Sequence, residues 1–348
     1  MSPLRIAVAG AGLMGRSHAQ LLADHAQTRL SAFVDPAEHG QAMAREFGVP
    51  CHASLDDLLA RDKPDALIIA TPNDLHVPQA LQALAQGLPV LLEKPVSTTV
   101  EQGQRLLEAV QAAGARVLVG HHRAHSPIMA KAREVVQSGR LGRLVAVQGS
   151  ATFYKPERYF ADGPWRAAPG GGPILINMIH EVHNLRMLCG EIAAVQAFAS
   201  NAVRGFAVED SAVVNLRFDS GVLGSFVLSD TAASARSWEQ TSQENKAYPS
   251  YADEDCYVLS GTLGTLAVPT LRTKTYADPQ QASWWLPFEL GAVDVVREDP
   301  LKRQLDHFVQ IIRGRAEPLV SVRDGLQNLR VIQAIAQAVH TGEAVQIS

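Results

Sequence analysis

The sequence of 348 residues has few cysteines, no long apolar run and no excess of positive charge. Cys51, Cys189 and Cys256 stand singly, which argues against a disulfide framework or a structural zinc site and fits a reducing compartment. A net charge of −4 gives no electrostatic basis for binding nucleic acid or an anionic membrane. Because no apolar run reaches membrane-spanning length and no signal peptide precedes the first strand, we expect a cytoplasmic protein.

Up to about residue 121, short apolar runs alternate with helical patterns. Near-continuous apolar strands separated by helices predict a parallel sheet that is covered on both faces. The helices are expected near 13–25, 37–47, 54–61, 75–86 and 99–113. The predicted strands are Leu4–Ala9, Leu30–Val34, Ala66–Ala70, Pro89–Leu92 and Arg116–Gly120.

After residue 121 the pattern changes to consecutive strands with tight turns, which predicts a second domain of α+β type with an antiparallel sheet. Asp219-Ser220-Gly221 is a candidate hairpin turn, and residues 232–255 are expected to form a loop. Two helices, near 300–313 and 322–341, close the chain, with Ser321 and Asp324 as a capping box. The predicted domains are residues 1–122 and 123–348. The predicted strands are Arg143–Phe153, Ala194–Ala199, Ala212–Phe218, Val222–Leu228, Tyr257–Ser260 and Thr265–Val268.

A Gly-x-Gly-x-x-Gly motif joins the first predicted strand to the first predicted helix, the context that a dinucleotide-binding turn requires. The motif is Gly10-Ala11-Gly12-Leu13-Met14-Gly15. Gly10 permits the tight turn, Gly12 leaves room for a pyrophosphate, and Gly15 lets the helix pack closely on the strand. Asp35 ends the second strand, where a carboxylate accepts hydrogen bonds from ribose hydroxyls and repels a 2′-phosphate, which favours NAD over NADP. The alternative is an ordinary glycine-rich turn in which Asp35 caps the next helix.

Glu93-Lys94-Pro95 follows the fourth predicted strand, at the carboxyl edge of the sheet where open α/β folds bind ligands. A lysine there can hydrogen-bond a substrate oxygen and share its proton while a hydride leaves the adjacent carbon. The alternative is a surface lysine before a turn-forming proline.

Three segments together resemble the Gfo/Idh/MocA family: the glycine motif, Ala70-Thr71-Pro72-Asn73-Asp74-Leu75-His76, and Glu93-Lys94-Pro95. The resemblance continues through Gly170-Gly171-Gly172 and covers essentially the whole chain. It implies an N-terminal Rossmann domain, a C-terminal open-faced and mainly antiparallel sheet, nicotinamide cofactors, sugar or polyol substrates, and homodimers or homotetramers formed through that sheet. It also implies a proton-transfer role for Lys94. The cofactor-binding candidates are Gly10, Gly12, Leu13, Met14, Gly15, Asp35, Thr71, Pro72, Asn73, His76, Glu93 and Lys94.

The helix after the triple glycine carries a second group of candidates. Ile174, Met178, Val182, Leu185 and Cys189 have helical spacing and form a predicted buried stripe. Asn177, His180 and Asn184 fall on a different face. The family's usual pattern is an Asp followed four residues later by a His, so if His180 is that histidine, Ile176 stands where the acid is expected. Lys94 and His180 would then carry the proton, with Asn177 positioning the substrate. The alternative is that His180 is an ordinary hydrogen-bonded helix histidine.

Further substrate-binding candidates lie at the domain junction and before the triple glycine. Arg123, with His122, could bind a carboxylate or hydroxyls, or could simply pair with acids. The segments Tyr154-Lys155-Pro156 and Trp165-Arg166 could supply a stacking face and donors, or could form an interface cluster. His180 and His183 diverge on a helix and no third ligand is evident, so no metal site is expected.

These residues predict an NAD-dependent dehydrogenase that acts on a cyclitol, a sugar or a cyclic hydroxy acid. One alternative is a glycoside-cleaving enzyme that oxidises and then re-reduces its sugar without net release of NADH. Another is a ligand sensor that keeps the fold without chemistry, since function depends on the site and not on the fold.

Overall fold

The computed structural model describes residues 2–347. The chain groups into two compact units: unit 1 holds the residues up to His122 together with Leu301–Leu329, and unit 2 holds Arg123–Pro300 and the residues from Arg330 onwards. The predicted ranges 1–122 and 123–348 differ from this grouping in the segment Leu301–Leu329. Its amphipathic pattern shows that one side is buried but not which core that side joins.

Unit 1 contains a six-stranded parallel sheet with the order β3-β2-β1-β4-β5-β6. This is the strand order of a doubly wound dinucleotide-binding fold, as expected. The strands are β1 (Leu4–Ala9), β2 (Thr28–Val34), β3 (Cys51–His52), β4 (Ala66–Ile69), β5 (Val90–Leu92) and β6 (Val117–Val119). The connecting helices are α1 (Leu13–Asp24), α2 (Glu38–Phe47), α3 (Leu55–Arg61), α4 (His76–Ala85) and α5 (Val100–Ala113).

The central strands of this sheet are buried on both faces. Every residue of β4, β5 and β6 is buried, and so are the last four residues of β1. Continuous apolar runs therefore correctly predicted a sheet with helices on both sides. The carboxyl ends of β1, β4 and β5 meet at one edge, because neighbouring parallel strands point the same way.

Unit 2 contains a nine-stranded mixed sheet with the order β14-β13-β12-β11-β7-β10-β9-β8-β15. Its pairs are antiparallel except for the parallel pair of β7 and β10. The strands are β7 (Leu144–Thr152), β8 (Ile192–Ser200), β9 (Ser211–Phe218), β10 (Leu223–Ser229), β11 (Tyr257–Gly261), β12 (Gly264–Val268), β13 (Arg272–Thr275), β14 (Glu289–Ala292) and β15 (Val345–Gln346). The helices between them are α6 (Pro127–Gln137), α7 (Glu157–Ala161), α8 (Ile179–Cys189) and α9 (Trp238–Thr241).

One face of this sheet is buried and the other is exposed. Along β9, buried and exposed side chains alternate, and the inward residues join a core with α6 and α8. The predicted turn at Asp219–Gly221 connects β9 to β10, with Gly221 at φ +85°. The antiparallel open-faced sheet is confirmed in the main, and the β7–β10 pair is the exception.

Two sequence predictions need correction here. The segment 232–255 is not entirely loop, because Ser237 accepts the Gln240 backbone N–H and begins the short helix α9. Strands β3, β13, β14 and β15 were not predicted. β3 and β15 have only two residues each, β13 is polar, and β14 is exposed along its whole length, so none of them shows the apolar alternation of a half-buried strand.

Two helices close the chain, α10 (Pro300–Ile312) and α11 (Val322–Thr341), and α11 continues from unit 1 into unit 2. The predicted capping box is present: the Asp324 backbone N–H donates to Ser321 Oγ at 3.2 Å, and the Ser321 backbone N–H donates to Asp324 Oδ2 at 2.9 Å. No helix within residues 2–347 is long and apolar enough to cross a membrane.

Candidate active site

The glycine turn between β1 and α1 has the geometry that a dinucleotide requires. Gly10 has φ +91°, and a Cβ there would lie 2.5 Å from the Ala70 carbonyl oxygen. A Cβ on Gly15 would lie 1.9 Å from the Gly10 carbonyl oxygen, so the helix packs directly against the turn. A Cβ on Gly12 would meet nothing within 4 Å, which leaves open space at the start of α1. These three environments fit the turn, the packing and the pyrophosphate space that the motif predicts.

Asp35 lies at the end of β2 and is largely buried. Its carboxylate accepts the backbone N–H groups of Ala11 and Ala37, each at 2.9 Å, and His39 Nε2 lies 3.4 Å from Oδ2. The contact to Ala11 ties Asp35 to the glycine turn, and the contact to Ala37 ties it to the start of α2. A carboxylate has about four acceptor positions, so these contacts leave capacity for ribose hydroxyls. The residues present therefore fit NAD.

The segment after β4 is held to the segment after β5 by His76. His76 is buried, with Nδ1 2.8 Å from the Pro95 carbonyl oxygen and Nε2 3.0 Å from the Thr71 carbonyl oxygen. Burial lowers the pKa of His76, against the opposing effect of these two carbonyls. The contacts favour a positioning role for His76 over direct cofactor binding. Pro72 is exposed, and Thr71 and Asn73 are half-buried at the same edge.

Glu93 is buried and anchors the loop that carries Lys94. Its Oε1 lies 2.8 Å from His18 Nε2 on α1, and its Oε2 accepts the Lys94 backbone N–H at 3.3 Å. Burial raises the pKa of Glu93, but the hydrogen bond and charge of His18 outweigh it, with help from Lys94 and His122, so the pKa lies below its usual range. Glu93 thus links the helix that begins at the glycine turn to the loop of Lys94. His18 was not singled out from the sequence, because nothing in a helix pattern shows which residue a buried histidine will meet.

Arg123 begins unit 2 and is buried in an ionic cluster. Its guanidinium donates to Glu181 and Glu239, each at 2.6 Å, and stacks over the Trp238 ring at 5.9 Å. Tyr257 donates its hydroxyl proton to the other oxygen of Glu181. Because two carboxylates and an aromatic face engage Arg123, the geometry favours its pairing with acids over substrate binding.

The segment after the triple glycine departs from one regular helix. Ile174–Met178 form a π-helical turn, and α8 follows from Ile179. The predicted apolar stripe is buried as expected. Asn184, however, is completely buried and donates to the Tyr257 hydroxyl at 3.0 Å, so it belongs to the core and not to a ligand-facing surface. The uniform rotation of about 100° per residue that grouped Asn184 with Asn177 does not hold through a π-helical turn.

Asn177 lies within a polar cluster of unit 2. Lys155 Nζ donates to Asn177 Oδ1 at 2.7 Å and lies 3.4 Å from Asp230 Oδ2, and Arg204 Nε donates to Asp230 Oδ1 at 3.0 Å. Lys155 Nζ also lies 4.8 Å from the centre of the Tyr159 ring. Lys155 belongs to the segment Tyr154-Lys155-Pro156, which the sequence predicts as a source of donors and a stacking face. Its neighbour Tyr154 is exposed.

The remaining candidates fall into two groups. Trp165 is exposed, and Arg166 stacks on Tyr159 at 4.0 Å. His180 and His183 are buried on α8. Within residues 2–347, no group of three or more His, Cys, Asp or Glu side chains could hold a metal ion.

The glycine turn, Asp35 and the parallel strand order define an NAD-binding Rossmann domain of the kind found in oxidoreductases. Residues 4–121 match the family model described as an oxidoreductase family with an NAD-binding Rossmann fold, and residues 129–267 match the GFO/IDH/MocA C-terminal domain. The chain therefore belongs to the Gfo/Idh/MocA family and is an NAD-binding oxidoreductase.

Similar proteins include named sugar and inositol enzymes. The chain is 27% identical over 322 residues to the 1,5-anhydro-D-fructose reductase of Ensifer adhaerens. This alignment covers 89% of this chain and 88% of that protein. It is 25% identical to the scyllo-inositol 2-dehydrogenase (NAD+) of Bacillus subtilis, with 99% and 96% covered. Several other curated relatives align over less than two thirds of their own length. The WlbA dehydrogenase of Bordetella pertussis, crystallised with NADH and UDP-GlcNAcA, matches with a TM-score of 0.79 at 25% identity over 99% of each chain.

Proposed function

We propose that the protein is an NAD-dependent dehydrogenase that oxidises a secondary hydroxyl of a cyclitol, a sugar or a cyclic hydroxy acid. The observation that carries this proposal is the position of Lys94, two residues after the end of β5, at the same edge of the parallel sheet as the glycine turn after β1. Ligands of open α/β sheets bind at this edge. The names of the sugar reductase and the inositol dehydrogenase relatives support the substrate class.

Oxidation of an alcohol removes a hydride from carbon and a proton from oxygen. NAD+, when bound, supplies the hydride acceptor. Lys94 Nζ hydrogen-bonds the substrate oxygen and shares its proton as the carbonyl forms, and it returns the proton in the reverse direction. We assign His180 as the second proton carrier and Asn177 as a substrate contact. Ile176 has no titratable group, so the position that holds an acid in the family's usual pattern supplies no base here.

Replacing Lys94 tests the mechanism. We expect Lys94→Ala to lower kcat by about 100-fold or more, the usual contribution of a positioned acid–base group, while NADH binding measured by fluorescence titration is retained. Lys131→Ala is the matched control, because Lys131 is a half-buried lysine of α6 whose ammonium pairs with the exposed Glu134 one turn away. Turnover that survives in Lys94→Ala would exclude the proton role of Lys94.

A substrate screen tests the reaction class. Polyols, aldoses and cyclic hydroxy acids are incubated with NAD+ or NADP+, and the absorbance of the reduced cofactor is followed. The proposal predicts net NADH formation with at least one of these classes and a preference for NAD+. Sugar cleavage without net NADH would instead identify the glycoside-cleaving alternative.

We also propose that a second copy of the chain covers the exposed face of the sheet in unit 2. Phe198, Val213 and Val227 are directly opposite one another across β8, β9 and β10, and their side chains are 68%, 45% and 44% exposed. A contiguous apolar surface of this kind is typical of a subunit interface. Val213→Asp should shift the mass measured by analytical ultracentrifugation to that of a monomer. A wild-type protein that is monomeric would refute this assembly.

A further inference from the structure

The hydrogen bond between Lys155 and Asn177 determines which end of the Asn177 amide is available to a ligand. A lysine ammonium carries three donors and no acceptor, so its partner on Asn177 must be the carbonyl oxygen, Oδ1, at 2.7 Å. Asp230, 3.4 Å from the Lys155 nitrogen, stabilises the ammonium form. The amide nitrogen of Asn177 is then the other end of the group, and no other described side chain within residues 2–347 accepts its hydrogen bond. Asn177 is half-buried, and its amide nitrogen does not belong to the fully buried polar atoms that lack a partner, so part of it is open to a small molecule.

The ammonium also strengthens the amide as a donor. A cation bound at the carbonyl oxygen draws electron density from the amide nitrogen, and hydrogen bonds in such a chain polarise one another. Lys155 is held in place by more than Asn177, because its nitrogen lies over the Tyr159 ring at 4.8 Å and its backbone oxygen accepts from Arg204 at 2.8 Å. The pair is therefore a fixed donor and not a mobile surface contact.

We propose that Asn177, positioned by Lys155, selects substrates that carry a carboxylate next to the oxidised ring, in preference to the same substrates with a hydroxymethyl group. The inference rests on the proposed function, because it takes Asn177 as a substrate contact. A carboxylate oxygen accepts and never donates when ionised, and it gains more from a polarised N–H than a neutral hydroxyl does. The side chain of Ile176, beside Asn177, offers no acceptor that would favour a hydroxyl instead.

The charges around the pair are compatible with an anion. Asp230 is shared between two cations, Lys155 and Arg204, at 3.4 Å and 3.0 Å. Asp210 is satisfied by the backbone N–H groups of Val203 and Arg204 and by the Ser211 hydroxyl. Glu209 accepts the Ile174 backbone N–H at 2.8 Å through Oε1, and burial raises its pKa. No carboxylate therefore lies within hydrogen-bond distance of the Asn177 amide nitrogen among the described residues.

The test compares matched sugars that differ at a single carbon. D-glucuronate, D-glucuronamide and D-glucose, with the corresponding galacto and manno sets, are assayed for turnover with NAD+ and for binding by calorimetry in the presence of NADH. We expect the wild type to favour the acid over the hydroxymethyl sugar by about tenfold or more, in kcat/KM or in Kd. The kcat/KM and Kd values of the carboxamide, which offers a neutral carbonyl oxygen, should fall between those of the acid and the hydroxymethyl sugar. The difference between the acid and the carboxamide then measures how much of the preference depends on charge.

Two variants separate the roles of the pair. Asn177→Asp keeps the size and the bond to Lys155 but replaces the donor by an acceptor, so the preference for the acid should fall by at least about tenfold and should reverse towards the hydroxymethyl sugar. Lys155→Met should reduce the preference through the KM of the acid, with a smaller change in kcat, because Lys155 acts through Asn177. Asn245→Asp is the control: the same change in charge at an exposed residue whose Oδ1 accepts only the Ala247 backbone N–H.

The outcomes distinguish this inference from the proposed function. Selective binding of the acid without any NADH formation would support the inference and refute the dehydrogenase. Turnover with NADH formation but without any preference for the acid would support the dehydrogenase and refute the inference. Equal or absent binding of acid and hydroxymethyl sugars in all three sets, or an unchanged preference in Asn177→Asp, would overturn the inference.

Discussion

The buried pair of His18 and Glu93 gives a sharp test of how unit 1 holds the loop of Lys94. Its side chains are 2% and 7% exposed, and the two atoms lie 2.8 Å apart. Unit 1 contains a second histidine–carboxylate pair, His25 with Asp306, at 2.9 Å, in which the carboxylate is 54% exposed. Because the distances are nearly equal, the exposure of the carboxylate separates the two pairs.

The expected magnitudes differ accordingly. Removing one partner of a buried pair costs about 3–5 kcal/mol, because the remaining charge is left without compensation, whereas an exposed pair contributes about 0–1 kcal/mol. We expect His18→Leu to lower the free energy of unfolding of unit 1 by about 3 kcal/mol or more, and His25→Leu by less than about 1 kcal/mol. Glu93 also accepts the Lys94 backbone N–H, so His18→Leu should lower kcat as well.

The assay must observe unit 1 directly. All four tryptophans, at positions 165, 238, 284 and 285, lie in unit 2, so their fluorescence does not report on unit 1. Hydrogen exchange of peptides covering α1 and β5, measured at increasing urea, reports its opening free energy. The double variant His18→Leu with Glu93→Gln removes the uncompensated charge and should regain part of the loss. Equal losses in His18→Leu and His25→Leu, or no recovery in the double variant, would refute the reasoning.

Three further predictions concern the glycine turn, the ionic cluster and a buried acid. Gly12→Ala should leave the melting temperature unchanged but weaken NADH binding measured by titration, whereas Gly15→Ala should destabilise unit 1 by about 1–3 kcal/mol, since its Cβ would meet the Gly10 carbonyl. Arg123→Met should destabilise unit 2 by about 3–5 kcal/mol in urea unfolding, because Glu181 loses its buried counter-ion. Burial raises the pKa of Glu244 to about 7, so near neutral pH the native state holds a proton that the unfolded state has released. The free energy of unfolding of unit 2 in urea should therefore fall by about 3 kcal/mol as the pH rises from about 5 to about 8. Glu244→Gln should remove that fall.

The fold of unit 1 could be predicted closely because its signals are local. Strand β1 has the predicted bounds, and the other predicted strands differ from the structure by one or two residues at their ends. The glycine turn is specified by backbone conformation and close approach, which only glycine permits at Gly10 and Gly15. Unit 2 was less predictable because strand pairing is not local: the parallel alignment of β10 with β7 pairs residues 77 positions apart, such as Leu223 with Ala146, without a sequence signal.

The candidate site shows the same division between local and non-local information. The sequence marks Lys94 through a strand end and a three-residue motif, but it does not show that Glu93 will meet His18, 75 residues away. Arg123 donates to Glu181, 58 residues away in the sequence, and this buried ion pair engages the guanidinium that the sequence offered as a candidate ligand-binding group. Lys155 lies in the segment Tyr154-Lys155-Pro156 that the sequence marks, but its partner could not be predicted, because Asn177 is 22 residues away in the π-helical turn and accepts from the Lys155 ammonium at 2.7 Å.

The replacement of the expected acid at Ile176 therefore has a different meaning in the structure than in the sequence. From the sequence it is a missing base, which leaves the mechanism short of one group. In the structure the buried Lys155 occupies the carbonyl oxygen of the neighbouring Asn177 amide. The amide N–H groups that remain can only donate a hydrogen bond, so they suit a ligand atom that accepts one. If that ligand is a substrate carboxylate, the loss of the acid is also required, because an ionised side chain beside Asn177 would repel it. The two changes, an apolar residue at 176 and a lysine-bound amide at 177, then act together as one alteration of specificity, and Ile176→Asp should weaken binding of the acid in the same direction as Asn177→Asp.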